Sequence, residues 1–234
     1  FTPDEEVGRG TENFDVERFG CDYAYTVDGG YIDFIDYENF NAASCEVTVQ
    51  GKGIHPGSAK NKMVNSLLVA MEFQSLLPTF DNPAYTEGYE GFNHLNNMVG
   101  HVDSTKMDYI IRNHDHNLLE KQKQDFIHAR DYLNLKYGYE IIKLDIKDAY
   151  KNMRSYIEKD MRVIDKAVEA MKKVDLNPRH SAIRGGTDGA SLTYMGLPCP
   201  NLGTGGYNCH GKYEYVSINE MEKMVELLIE IAKG

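Results

Sequence analysis

Three short stretches of this sequence carry side chains able to do chemistry. The first is Asp4-Glu5-Glu6, followed by Gly8-Arg9-Gly10. Two adjacent carboxylates can divide the work of a hydrolytic site: one binds a metal ion, and its neighbour acts as general base on a metal-activated water. That division requires a backbone turn sharp enough for the two side chains to diverge. A solvated acidic turn explains the same residues more plainly, because exposed carboxylates are the default. The second stretch ends in Asp28, which closes the β-prone run Tyr23-Ala24-Tyr25-Thr26-Val27 and precedes Gly29-Gly30. A turn-forming aspartate accounts for it equally well. The third is His210, inside Gly205-Gly206-Tyr207-Asn208-Cys209-His210-Gly211. Flanking glycines let an imidazole approach a cation closely, and imidazole suits zinc, cobalt or manganese. An ordinary loop histidine has the same local sequence. Two further candidates are set aside. His114-Asp115-His116 reads as turn and helix-capping residues, and Gly203-Thr204-Gly205-Gly206 lacks the Gly-Lys-Ser/Thr ending of a phosphate loop.

The elements that must position these residues are legible in the periodicity. Cys45 to Gln50 is expected as a strand, and Val64, Leu67, Leu68 and Met71 recur at helical spacing until Pro78. Strands are expected over 93–101 and 106–113, on either side of a turn at Asp103-Ser104. A helix with Leu119, Phe126, Ile127 and Leu133 on one face then runs to Gly138, ahead of a strand over 140–146. The order β-α-β-β-α-β is that of a ferredoxin-like two-layer sandwich. Beyond it come a helix with Met161, Ile164, Val168 and Met171 in register and a short strand into Arg184-Gly185-Gly186. A last helix opens with a capping box at Ser217 and Glu220 and has the stripe Met221, Met224, Val225, Leu228, Ile229 and Ala232. The expected organisation is α/β, with one domain made of 1–40 and 152–234 and interrupted by the sandwich over 41–151.

Composition bounds the partners. With 25 basic and 36 acidic residues the formal charge is −11, so nucleic acid and anionic membranes are poor partners, since each calls for a basic face. No apolar run approaches the roughly 20 residues needed to span a bilayer. The four cysteines, Cys21, Cys45, Cys199 and Cys209, form no CxxC or zinc-finger spacing. Reduced thiols in a cytoplasmic protein are the simpler expectation.

Six ordered motifs converge on one family. Phe1-Thr2-Pro3-Asp4-Glu5-Glu6-Val7-Gly8-Arg9-Gly10, Tyr25-Thr26-Val27-Asp28-Gly29-Gly30, Tyr37-Glu38-Asn39-Phe40-Asn41-Ala42-Ala43, Ile54-His55-Pro56-Gly57, Ile183-Arg184-Gly185-Gly186-Thr187-Asp188-Gly189 and Asn208-Cys209-His210-Gly211 together resemble the tripeptide aminopeptidases of the M20 family of dinuclear zinc peptidases. The resemblance runs in order along essentially the whole chain, to the closing Glu214-Tyr215-Val216-Ser217 and its helix. It implies a mixed α/β catalytic domain interrupted by a lid that also dimerises. It further implies Glu5 as general base, Glu6 as a ligand of one metal together with His210, and Asp28 as a ligand of the other. His55 would reach the partner subunit's site and steady the oxyanion. Arg112, Arg184 and Asn208 would hold the tripeptide substrate, for which a guanidinium fork suits a carboxylate. Two zinc ions are implied per site, with cobalt or manganese as alternatives.

The same pattern also has a His-x-Asp motif and a bridging aspartate well over a hundred residues ahead of Asp-Glu-Glu. The sequence opens just before Asp-Glu-Glu without an initiator Met, and a fragment or a processed or truncated product is expected, with three of five ligands and with catalytic pieces that are either poorly packed or expose an apolar surface. Two other readings stay open: a non-catalytic lid or dimerisation module, and another M20 activity such as a dipeptidase, carboxypeptidase or deacylase.

Overall fold

The structure is a computed structural model that describes residues 3–233. Phe1 and Thr2, which open the first motif, and Gly234 lie outside the described residues. The chain forms two units, one from the chain up to Phe40 together with the chain from Lys151, the other from Asn41–Tyr150.

The first unit begins with a 3₁₀ turn at Glu5–Val7, helix α1 (Val16–Phe19) and strands β1 (Thr26–Val27) and β2 (Phe34–Asn39). The second unit is built from β3 (Asn41–Gln50), α2 (Ser66–Leu76), β4 (Phe92–His101), β5 (Ser104–Asn113), α3 (His116–Tyr137) and β6 (Ile142–Tyr150). The chain then returns to the first unit with α4 (Arg154–Ile157), α5 (Arg162–Lys173), β7 (Arg179–Ile183), α6 (Asp188–Tyr194), β8 (Asn201–Leu202), β9 (Gly206–Tyr207), β10 (Tyr215–Val216) and α7 (Ile218–Lys233).

In the second unit the strand order is β4-β5-β3-β6, antiparallel throughout, which with its two helices is the β-α-β-β-α-β sandwich read from the sequence. Alternation along β3 sends Cys45, Val47 and Val49 inward and Ser44 and Glu46 outward, as a half-buried strand requires. Phe126 of α3 is fully buried, 6.0 Å from the ring of Phe73 and 4.9 Å edge-on from that of Tyr109. Burying a side chain of that size contributes about 1.5–3 kcal/mol. Helix ends follow their local signals. Asn65 accepts from the Leu67 N–H, Asp115 accepts from the Leu118 N–H, and Gly138 ends α3 in the left-handed region. The expected face of α2 is corrected. Leu68 and Met71 are exposed, and the helix buries Ser66, Val69, Ala70 and Phe73 instead.

In the first unit the sheet order is β1-β8-β2-β7, with β1–β8 and β2–β7 parallel and β8–β2 antiparallel. Of the longer run expected as a strand, β1 covers Thr26 and Val27, and the Ala24 N–H also donates to the Pro198 carbonyl at 2.9 Å. The core gathers Ile35, Met153, Ile157, Ile164, Met171 and Leu227 with their neighbours. Here too the expected helix stripe is corrected. The inward face of α7 is Met224 and Leu227, with Leu228 and Ile231 partly buried against the core, while Ile218, Met221, Val225 and Ile229 are exposed. Half of the capping box is present, since the Glu220 N–H donates to Ser217 Oγ at 3.4 Å; the Glu220 carboxylate accepts instead from the Tyr207 hydroxyl at 2.9 Å. No helix among the described residues is long and apolar enough to cross a membrane.

Asn39 ties the unit together where the chain leaves and returns. Fully buried, its Nδ2 donates to the carbonyls of Phe40 and Lys151 and its Oδ1 accepts from the Met153 N–H at 2.9 Å. Each buried polar atom thereby finds a partner, as burial demands.

Candidate metallopeptidase site

The turn that carries Glu5 and Glu6 is bracketed by two residues in the left-handed region, Asp4 at φ 62° and Gly8 at φ 71°. The Gly8 N–H donates to the Glu5 carbonyl at 2.7 Å and the Arg9 N–H to that of Asp4 at 3.0 Å. The sharp reversal separates the adjacent carboxylates. Glu5 lines a cavity of about 480 Å³ together with Asp28 and Asp188. Glu6 lies on the side of His210, with Oε2 3.6 Å from Nδ1.

Asp28 follows β1 directly. Its N–H donates to the Leu202 carbonyl at 3.0 Å and its carbonyl accepts from Asn201 Nδ2 at 2.8 Å, so neighbouring β8 fixes its backbone. Gly29 and Gly30 then turn the chain at positive φ, and a side chain on Gly29 would come 3.8 Å from Cys209 Sγ. The Asp28 turn and the histidine loop are therefore neighbours. That loop is strained, because Asn208 and His210 both have left-handed backbones, at φ 57° and 62°. Such conformations cost non-glycine residues about 1–3 kcal/mol each, least for Asn, and cluster at functional sites. The His210 N–H donates to Glu214 and the Gly211 N–H to the Asn208 carbonyl, closing the loop on itself.

The electrostatics follow from this crowding. Partial withdrawal from water raises the Glu5 carboxyl above its ordinary value, and Asp28, Asp188 and Glu6 push it further while His210 opposes them. Asp28 is raised in the same way, by desolvation first and then by Glu6 and Asp188, again against His210. Carboxylates crowded beside one imidazole form a donor set that a cation would relieve. Glu6 and His210 fit as two donors to one ion, oxygen and nitrogen ligands of the kind zinc accepts, and Asp28 fits as a donor nearby. Among the described residues, no three His, Cys, Asp or Glu side chains are gathered closely enough to form a shell.

The remaining expected residues have local partners of their own. His55 belongs to the second unit, where its Nδ1 accepts from the Gly57 N–H at 3.1 Å. Its exposed loop is anchored by the Lys52–Val64 bridge and by the Gly53 N–H on Asp103 at 2.6 Å. Arg112, also in that unit, is half-buried. Its Nη1 donates to the carbonyls of Ala43 and Ile111, the group stands 5.2 Å over the Tyr150 ring, and burial lowers its pKa. Arg184 of the first unit stands 5.2 Å over the ring of Phe40. Asn208 donates to the Tyr213 carbonyl at 3.1 Å. One residue had no role in the sequence reading. Asp188, only 9% exposed, starts α6 and presses on Gly10, where a Cβ would lie 2.2 Å from its Oδ2. Its only signal in the sequence was a carboxylate among the glycines of Arg184-Gly185-Gly186-Thr187-Asp188-Gly189.

Comparison with known proteins bears on this arrangement. Residues 37–137 match a family model described as a peptidase dimerisation domain. The chain is 51% identical over 233 residues, all but one of its own length, to the peptidase T of Caldanaerobacter subterraneus subsp. tengcongensis. This chain is similar to peptidase T. It covers 57% of that relative's length, so it spans little more than half of the peptidase T it matches. Two solved structures share the fold. An aminopeptidase PepT from Bacillus cereus superposes with TM-score 0.82 at 22% identity, over 98% of this chain and 62% of that one. A tripeptidase from Staphylococcus aureus does so with TM-score 0.85 at 19% identity, over 99% and 62%. The mixed α/β fold with an inserted sandwich is thus shared with these two solved structures, and the similarity to peptidase T spans 233 residues of this chain.

Proposed function

We propose that this chain carries the Glu-Glu, Asp and His portion of a zinc-dependent, homodimeric, cytoplasmic tripeptidase that removes the N-terminal residue of tripeptides. The observation that carries the reading is the turn that separates Glu5 from Glu6, one facing a cavity and the other facing His210. Glu6 and His210 hold one divalent ion and Asp28 contributes to a second. Zinc is the first choice, with cobalt or manganese able to replace it. The bound metal supplies Lewis-acid polarisation of the scissile carbonyl. Glu5 accepts a proton from the attacking water at its carboxylate and delivers it to the leaving amine. His55 of a second subunit donates to the developing oxyanion, and Arg184, Arg112 and Asn208 orient the substrate's polar ends. The dimerisation-domain match over residues 37–137 supports pairing through the second unit, and the four free cysteines accord with a reducing compartment.

The test is tripeptide hydrolysis by the purified protein carrying this chain, with metal content measured alongside. The proposal expects Glu5→Gln to retain the metal and lose at least about a hundredfold in kcat, the usual scale of general-base catalysis. Normal turnover by Glu5→Gln refutes the role of Glu5. Wild-type protein that binds no divalent ion and cleaves no tripeptide refutes the whole reading.

A further inference from the structure

Among the described residues no strand pairs with the Glu5–Glu6 turn, yet two side chains that must cooperate with Asp28 depend on where it sits. Its chain continues through short turns, with the Glu12 N–H on the Arg9 carbonyl and the Phe14 N–H on that of Thr11. Nothing in those local bonds fixes the turn against the sheet. One contact that does so is Gly10 on Asp188. A Cβ at position 10 would lie 2.2 Å from Asp188 Oδ2 and 2.8 Å from both Cγ and Oδ1, so the carboxylate lies flush on the bare Cα of Gly10. Asp188 is itself held from the other side. Its neighbour Gly189 lets α6 press onto β1, where a Cβ would lie 2.3 Å from the Cys199 carbonyl and 2.8 Å from Thr26 Oγ1. Thr26 lies on β1, two residues before Asp28.

We infer that Asp188 is a positioning residue: wedged between Gly10 and the strand that leads into Asp28, it sets the spacing between the Glu5–Glu6 turn and Asp28. This rests on the tripeptidase reading, because the spacing matters only if those carboxylates act together. Two glycines, one on each side, make the distance a matter of hard contact. Glycine at 10 and at 189 is therefore required by close approach and not by a turn. A misplacement of about 1 Å in a catalytic constellation costs on the order of a hundredfold in rate.

A mutant cycle of Gly10→Ala and Asp188→Ala tests the wedge, read as kcat, KM and the number of divalent ions retained after dialysis. Gly10→Ala is expected to lower kcat by about ten- to a hundredfold with KM for the tripeptide little changed, and to weaken metal retention. Asp188→Ala loses the wedge and also falls in kcat. In the double variant the added methyl has room, so Gly10→Ala costs little beyond Asp188→Ala alone; this non-additivity is the signature of the contact. Additive losses, or a Gly10→Ala protein with wild-type kcat and metal content, overturn the inference. Circular dichroism shows whether the single variants fold, and a double variant no worse than Asp188→Ala separates displacement from collapse. If the wild-type protein itself neither binds metal nor cleaves tripeptides, it is the functional reading that fails.

Discussion

Asp36 provides a test of the first unit's electrostatics that is independent of catalysis. It sits on β2 opposite Asn201 of β8, and its carboxyl is raised from 3.8 to about 6, chiefly by burial and against the opposing effects of the Asn201 hydrogen bond and His180. Because the folded protein holds this proton more tightly than the unfolded chain does, stability falls as pH rises through the window from about 4 to about 6. Below that window both states are protonated and there is no penalty; above it the penalty is complete. At about 1.4 kcal/mol per unit, a displacement of this size corresponds to about 3 kcal/mol. Because the side chain retains partial contact with water, screening reduces the expected figure to about 1–2 kcal/mol. Asp36→Asn keeps the shape and an acceptor for Asn201 but removes the charge. The variant should therefore gain about 1–2 kcal/mol over wild type at pH 7.5, and the gain should vanish near pH 4. Urea melts between pH 4 and 8 measure this, followed by far-UV circular dichroism and by tyrosine fluorescence, since the chain has 16 Tyr and no Trp. The shift belongs to the transition of the unit that contains β2. A variant no more stable than wild type at pH 7.5, or one whose advantage is the same at pH 4, refutes the argument.

Two further measurements address packing. Phe126→Ala empties the centre of the second unit's core between Phe73 and Tyr109. It should cost about 3–5 kcal/mol in a denaturant melt, and a loss below about 1 kcal/mol would show that the core does not close around this ring. Thiol titration of the native protein should count Cys21 and Cys209, which are exposed, and leave Cys45 and Cys199 unreactive, since burial pushes both of these up to about 12. All four should react in denaturant, and rapid modification of Cys45 or Cys199 in the native state would contradict their burial.

The order of elements in the inserted sandwich was legible because the period switches from two to 3.6 and back, with Asp115 and Gly138 marking the ends of α3. Helix faces were harder. In α2, the apolar residues Leu67, Leu68, Val69, Ala70, Met71 and Phe73 offer overlapping stripes at helical spacing, and only the shape of the sheet beneath selects Val69, Ala70 and Phe73. The same ambiguity displaced the stripe of α7 towards Met221, Val225 and Ile229, which face solvent. At the site, acids and a histidine in glycine-rich settings were visible one by one. Their grouping came from family resemblance, because no local rule brings position 6 to position 210. Asp188 could not be found that way. Its importance lies in what Gly10 and Gly189 omit, and an absent Cβ gains meaning only when the facing atoms are known.

The buried Asn39 has a thermodynamic corollary. On one side of the junction it holds Phe40, Lys151 and Met153 together; on the other, Ala42 of β3 pairs with Tyr150 of β6. Once the sandwich is folded, its two ends already meet, and the host unit no longer has to close a floppy loop of about a hundred residues. By the logarithmic law of loop closure the difference is about 3 kcal/mol. The two units therefore share stability through chain entropy. A core mutation in the sandwich should loosen the first unit without touching any of its residues.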